Sequence, residues 1–348
     1  MKAFRWSLGG ILAAVLALAT TAAWAQTIQL NGAGATFPYP IYSLWFEVYR
    51  SVNPNVQVNY QPIGSGGGIR QITARTVDFG GSDAPLTDEQ LAAAPKKLLH
   101  IPTVIGSVAV IYNLPGVGTG LKLTPEVLSG IYLGQITRWN DERLAALNPD
   151  VRLPNLPIAV TRRSDGSGTT HLFTSYLSQV SPEWAERVGS GTSVAWPVGL
   201  GGQGNAGVAG LVRQIPGAIG YVEIAYALQN GMTYAALQNQ SGEFVLPTME
   251  ATSLAGFAPM PDDLRATIVN TSHPQGYPIA GFTWLVVYQE QDDPVKGKAL
   301  VDMLWWVIHE GQELAPQLDY APLPENVVAL AEEMIASITH QGRPLLER

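Results

Sequence analysis

The residues able to do chemistry gather in a few short loops. The densest is RRSDGSGTTHLF, residues 162–173, where Arg162, Arg163 and Asp165 stand beside a Gly-Ser-Gly-Thr turn. Leu172, Phe173, Tyr176, Leu177 and Val180 then recur at helical spacing. GAGATFPYPIYSLWF, residues 32–46, repeats the pattern, with Thr36 and Phe37 ahead of Pro38, a residue suited to a first helical turn. So does GSGGGIRQITARTV, residues 64–77, with Ser65 ahead of Ile69 and Ile72. A Gly and hydroxyl turn feeding a helix leaves the first backbone N–H groups unpaired at the positive end of the macrodipole. Anions bind at such ends, glycine allows close approach, and Thr36, Ser65, Ser167 and Thr169 add hydroxyl donors. Each loop alone reads more readily as a plain capped helix, since Ser and Thr are favoured caps. Three of them with an arginine favour an anion site. A fourth loop, VDFGGSDAPLTDEQ, residues 77–90, carries Asp83, which by itself is an ordinary turn aspartate.

The elements that must position these loops follow an α/β pattern, with short apolar strand candidates alternating with amphipathic segments. Val56 to Tyr60 alternates as a strand, and Ile101 to Ile111 and Ile158 to Val160 read as buried ones. Helix starts are marked by Thr87 with Gln90, by Thr124-Pro125-Glu126 and by Ser181-Pro182-Glu183. No repeat or linker-like tract marks a domain boundary.

Lys2 and Arg5 precede an apolar run, Leu8 to Ala19, and a small-residue site at Ala23-Trp24-Ala25, the pattern of a secretory signal peptide over residues 1–25. The run is shorter than a membrane span needs, and a single arginine rather than a twin pair argues against export of a folded, cofactor-loaded chain. The mature chain of 348 minus 25, or 323, residues is long enough for two domains. It has no cysteine, which excludes disulfides, thiolate metal sites and lipid attachment at the cleavage site. Free solution in a periplasm is expected. Losing Lys2 and Arg5 takes the formal charge from -8 to -10, unlike the basic footprint of a nucleic-acid binder. An anion site here must therefore rely on short-range donors.

In order along the chain, the loops resemble the periplasmic phosphate-binding proteins of high-affinity phosphate ABC transporters. The resemblance runs through NGAGATFPYPIYSLWF, VNYQPIGSGGGIRQI, TVDFGGSDAPLTDEQL, PTVIGSVAVIYNLPG, LSGIYLGQITRWND, RRSDGSGTTHLFTSYL, WPVGLGGQGN and PGAIGYVEIAYA, most of residues 31–227, with LDYAPLP near the C-terminus. It implies a type II periplasmic binding fold of two α/β lobes, each a central mixed sheet flanked by helices, with the ligand in the interlobe cleft and two chain crossings. The implied limits are 26–107 with 278–348 for lobe I and 108–277 for lobe II, residues 239–274 decorating the second. A monomer that captures inorganic phosphate for a membrane permease, with no cofactor, metal or nucleic acid, is expected.

Carried over by position, the phosphate contacts would be Thr36, Phe37, Ser65, Asp83, Arg163, Ser167, Gly168 and Thr169, with Phe37 and Gly168 acting through backbone N–H groups. Asp165 would hold the Arg163 guanidinium, while Arg162 is expected at the surface. Phosphate keeps at least one proton at neutral pH and sulfate none, so a carboxylate at Asp83 would be satisfied by the first and repel the second. Two positions depart from the family pattern. Gly66 stands where relatives can carry a second serine, and His171 stands where an apolar or small residue is expected. The expected role of His171 is solvated or capping, with a part near the ion as the lesser alternative.

Other readings compete less well. GLGGQG, residues 199–204, matches Gly-x-Gly-x-x-Gly with Glu223 nineteen residues beyond Gly204, as a dinucleotide fold would, but Pro197 ends the strand and the segment to Pro216 is short. An exported phosphoester hydrolase would need an activated serine. Asp165 and Ile63 occupy the first-glycine positions of Gly-x-Ser-x-Gly around Ser167 and Ser65, and the five histidines lack metal-ligand spacing. A binder of another tetrahedral oxyanion would have no need of Asp83.

Overall fold

The computed structural model describes residues 27–346, so the leader expected over 1–25 lies outside it. Chain order begins with strand β1 (Ile28–Gly34), helix α1 (Tyr39–Val52), strand β2 (Val56–Pro62), helix α2 (Ser65–Thr73), strand β3 (Phe79–Ser82), a short helix Asp88–Ala93 and the 15-residue strand β4 (Leu98–Tyr112). The helix starts read from the sequence are present: Thr87 forms a capping box with Gln90, and Thr124 and Ser181 each cap a helix that opens on proline.

Nine of the described strands join in one connected mixed sheet, beside a three-stranded and a two-stranded one. β1 pairs in parallel with β2 and β3, and β3 pairs antiparallel with the return strand Ala280–Tyr288. That strand pairs antiparallel with β4 from Leu98 to Ser107, whereas strand Ala218–Glu223 pairs with β4 from Val108 to Tyr112. Strand Ala159–Arg163 lies parallel to Ala218–Glu223, and Leu200–Gly202 lies parallel beyond it. The two sheets expected from the sequence are present and run into one another through β4, which is buried along its whole length and belongs to both halves.

Each half has its own core. In the first, Ile41 and Trp45 of α1 pack with Phe79, Trp284, Leu300 and Leu304. In the second, Tyr132, Phe173, Leu177, Trp184 and Tyr221 cover one sheet face, and Val208 and Val212 cover the other. The chain returns at Tyr277, whose hydroxyl donates to Val108 O at 2.9 Å. One expectation is corrected here. Leu237, Ala251 and Val269 do join the second core, but Leu264, Ala266 and Ile268 lie in the first, and Trp284 Nε1 donates to Leu264 O at 2.9 Å. An apolar patch beside Trp284 and Leu86 draws this stretch across, so residues 239–274 do not simply decorate one half. No helix among the described residues is long and apolar enough to cross a membrane.

Candidate functional site

Three helix N-termini and one strand end converge where the halves meet. Thr36 and Phe37 lie just before α1, Ser65 opens α2, Asp83 follows β3, and Ser167 caps helix Gly168–Val180. All eight residues expected to contact an anion are buried, Asp83 to 1% exposure and Arg163 to 3%. The halves touch at backbone distance: Gly66 N–H donates to Gly166 O at 3.0 Å, and Gly168 N–H donates to Ser65 Oγ at 3.1 Å. Gly168 is required by this approach, because a Cβ there would run into Asp83 and Ser65. Gly64, at φ 88°, likewise has room only for a hydrogen beside Asp165 and Gly166. At Gly66 a side chain would sit tightly against Gly166, with Cβ 3.2 Å from its Cα, so glycine here eases the close meeting of the two loops.

Hydrogen-bond accounting shows what the hydroxyls have left to give. Thr36 Oγ1 accepts from Asn205 N at 3.2 Å and from Asn205 Nδ2 at 2.8 Å. Thr169 Oγ1 accepts from Asn205 Nδ2 at 3.2 Å and from Arg163 Nη1 at 3.3 Å. With two N–H donors on each oxygen, each threonine retains its proton for donation. Ser167 Oγ accepts from Thr170 N at 3.0 Å and also keeps its proton. Asn205, in the first turn of helix Gly204–Gln214, directly follows the Gly-rich turn that imitates a dinucleotide fingerprint, and no sequence signal marks it. There its side chain ties Thr36 to Thr169 across the halves, and its Oδ1 accepts from Glu223 N at 2.9 Å.

Arg163 is fixed by Asp165, with Nε on Oδ1 at 2.8 Å and Nη2 on Oδ2 at 2.5 Å, a bidentate pair of fork geometry. Asp165 also accepts from Gly204 N at 3.0 Å. Burial works to raise its carboxyl, but the guanidinium and the Gly204 amide hold it below the usual carboxylate range. Arg162 is half-buried rather than at the surface, with Nη1 on Arg163 O at 3.2 Å. His171 is likewise half-buried, and burial holds its ring below the ordinary histidine value.

Asp83 is the one acceptor among these donors. Oδ1 accepts from Thr283 Oγ1 at 2.8 Å and Oδ2 from Ser65 Oγ at 3.3 Å. Burial pushes its carboxyl up to about 7, against the opposing pull of Thr283, Arg163 and Ser65. Thr283 carries no signal in the sequence because it sits inside an apolar strand 200 residues away. Among the described residues no group of His, Asp and Glu side chains is placed to hold a metal.

An α/β chain of two halves that closes a donor-lined, buried cleft at their junction is built as a solute-binding protein. The profile of the PBP superfamily domain matches residues 20–304. The chain is 45% identical over 318 residues to the phosphate-binding protein PstS of Xylella fastidiosa strain 9a5c, covering 90% of this chain and 86% of that one. It is 45% identical over 322 residues to PstS of Pasteurella multocida strain Pm70, covering 91% and 92%. A solved high affinity periplasmic phosphate-binding protein with bound phosphate superposes with a TM-score of 0.72 at 24% identity, over 88% of this chain and 93% of that one. The chain belongs to the PstS phosphate-binding protein family of the PBP superfamily.

Proposed function

We propose that this protein captures inorganic phosphate in the periplasm and delivers it to the permease of an ABC transporter. The observation that carries the reading is Asp83, a single buried acceptor set among hydroxyl, guanidinium and helix-end donors. A dianion with one remaining proton fits that set: several donors meet its bare oxygens and one carboxylate takes its O–H. A fully deprotonated oxyanion would leave two negative groups facing each other without water. In this reading Thr36, Ser167 and Thr169 donate hydroxyl protons, Phe37 donates its backbone N–H, Arg163 supplies the charge-assisted contact, and Ser65 and Gly168 donate to the ion by turning from their bonds to Asp83 and to Ser65. Asp165 holds the guanidinium in line. Residues 26–107 with 278–348 form one lobe and 108–277 the other, apart from the stretch around Leu264–Ile268 that packs on the first core. The switch of β4 partners between Ser107 and Val108 supports placing the hinge there.

The protein acts as an exported, monomeric and stoichiometric binder, with no turnover. Ser167 and Ser65 lack the activating histidine a hydrolase would need: Ser167 Oγ accepts from a backbone amide and Ser65 Oγ is bonded to Asp83. Calorimetric titration of the phosphate-stripped protein with phosphate, sulfate and arsenate tests the reading. Tight one-to-one phosphate binding, partial mimicry by arsenate and rejection of sulfate are expected. Sulfate binding as tight as phosphate, or release of product from a chromogenic phosphoester, would overturn it.

A further inference from the structure

Glu223 ends strand Ala218–Glu223 and is wholly buried where the halves meet. Its Oε2 caps the short helix Ile224–Gln229 by accepting from Ala225 N at 2.9 Å. Its Oε1 is buried with no hydrogen-bond partner among the described residues. Tyr320, reaching in from the C-terminal segment, places its hydroxyl 2.6 Å from Phe37 O and 2.9 Å from Glu223 Oε2. A phenol has one proton, and a backbone carbonyl can only accept. The shorter contact claims the phenol proton for Phe37 O, so the contact with Glu223 is a hydrogen bond only if the carboxyl brings a proton of its own.

We propose, resting on the phosphate reading above, that Glu223 is a neutral carboxylic acid that donates to Tyr320 and so positions the Phe37 end of the anion cleft across the two halves. It is a positioning residue, touching the ligand-facing backbone only through Tyr320. Tyr226, from the helix that Glu223 caps, fixes the adjacent Thr36 carbonyl with its hydroxyl at 2.5 Å. The two carbonyls flanking the Phe37 amide are thereby gripped from the same corner. The ionisable groups facing Glu223 are Tyr320 and Asp319 from the C-terminal segment, Asp83 from the loop after β3, and Tyr226 from its own helix. None is a cation. Burial, with the charges of Asp319 and Asp83 adding to it, drives the carboxyl well above the ordinary range against the opposing contacts with Tyr320 and Ala225. A protonated Glu223 also accounts for the bare Oε1, since the carbonyl oxygen of an acid needs a partner far less than a carboxylate oxygen does. An incoming phosphate adds more negative charge on the same side and strengthens the hold on the proton.

The test labels glutamate side-chain carboxyls with carbon-13 and follows the full-length phosphate-loaded protein by NMR, assigning Glu223 by the resonance lost in Glu223→Gln. A protonated-acid signal at pH 7 is expected, and an ionised one overturns the proposal. Glutamine can donate to Tyr320 at every pH although its amide nitrogen cannot also accept from Ala225 N, so Glu223→Gln should weaken phosphate binding at pH 7 clearly less than Glu223→Ala, which loses both bonds and about tenfold or more in affinity. Between the pH at which the acid signal of the phosphate-free protein turns to the ionised one and the higher pH at which that of the phosphate-loaded protein does, wild-type affinity should fall relative to Glu223→Gln by about tenfold per pH unit. Parallel curves through that titration, or a Glu223→Gln loss equal to that of Glu223→Ala, sink the positioning role. Should Glu223→Ala fail to fold, the NMR signal and the glutamine variant still decide it. If wild type does not bind phosphate at all, the phosphate reading fails, and the Glu223 signal of the same protein without ligand shows separately whether the carboxyl holds its proton.

Discussion

Replacing Asp83 with asparagine separates selectivity from affinity and leaves the shape of the site nearly unchanged. Phosphate would lose a charge-assisted hydrogen bond from its O–H to the carboxylate, a contact of about 1.5–3 kcal/mol, or roughly ten- to 150-fold in dissociation constant. Sulfate would lose a repulsion. A unit charge about 4 Å from another in a partly screened protein site costs ~4 kcal/mol, close to three decades of affinity, and sulfate carries two. Asparagine can turn an N–H toward the oxygen that Asp83 refuses. The phosphate-over-sulfate ratio should therefore drop by at least about a thousandfold. Competitive calorimetry at pH 8, well above the Asp83 value of about 7, is the assay. An unchanged ratio would refute the assignment of selectivity to this carboxyl. The same variant has a second signature. In the folded protein Asp83 sits at about 7 against an ordinary 3.8, so the folded chain binds more protons between those values. Its contribution is complete below about 4 and is lost as pH rises through about 7, a swing on the order of 4 kcal/mol. Thermal melts of phosphate-free wild type should show this decline, and Asp83→Asn should lack it.

Other perturbations act on geometry. Gly168→Ala puts a methyl group against Asp83 and Ser65 and should weaken phosphate binding by about tenfold to a hundredfold through overpacking, measured by titration, with the fold intact by circular dichroism. Asn205→Ala removes the bonds that aim the Thr36 and Thr169 hydroxyls, so phosphate and sulfate should weaken together, by about tenfold or more, with their ratio unchanged. Asp165→Ala leaves Arg163 buried without its partner. We expect weaker phosphate binding at constant selectivity and a ligand-free protein destabilised by about 3 kcal/mol at most, read from urea denaturation.

The loops announced themselves in the sequence because caps and glycine turns are local chemistry. Thr87 with Gln90, Thr124 before Pro125 and Ser167 before its helix are fixed by neighbours within a few residues, and all three form the caps their residue types suggest. Asn205 is hidden because the turn before its helix carries the glycine spacing of a different ligand class, and spacing alone does not reveal that Gly204 N–H faces Asp165 instead of a pyrophosphate. Thr283 and Tyr320 act from strand and C-terminal positions 200 and 283 residues from the groups they bond, Asp83 and Phe37, where no local pattern reaches. Glu223 seemed to belong with the dinucleotide decoy and turns out to be walled in by Tyr320 and Ala225. The placement of residues 255–268 was misjudged because hydrophobicity shows that a segment is to be buried without showing which core receives it.

Strand β4 supplies hydrogen-bond partners to both halves, changing neighbours between Ser107 and Val108 while staying buried from end to end. The halves are consequently not separable modules. A cut or an insertion near residue 107 would strip a ladder edge from each side at once, leaving two fragments with exposed, unpaired strands prone to self-association. Gene fusions and sensor insertions in this protein belong instead in exposed turns such as the one at Ser241 and Gly242, where no shared strand is interrupted.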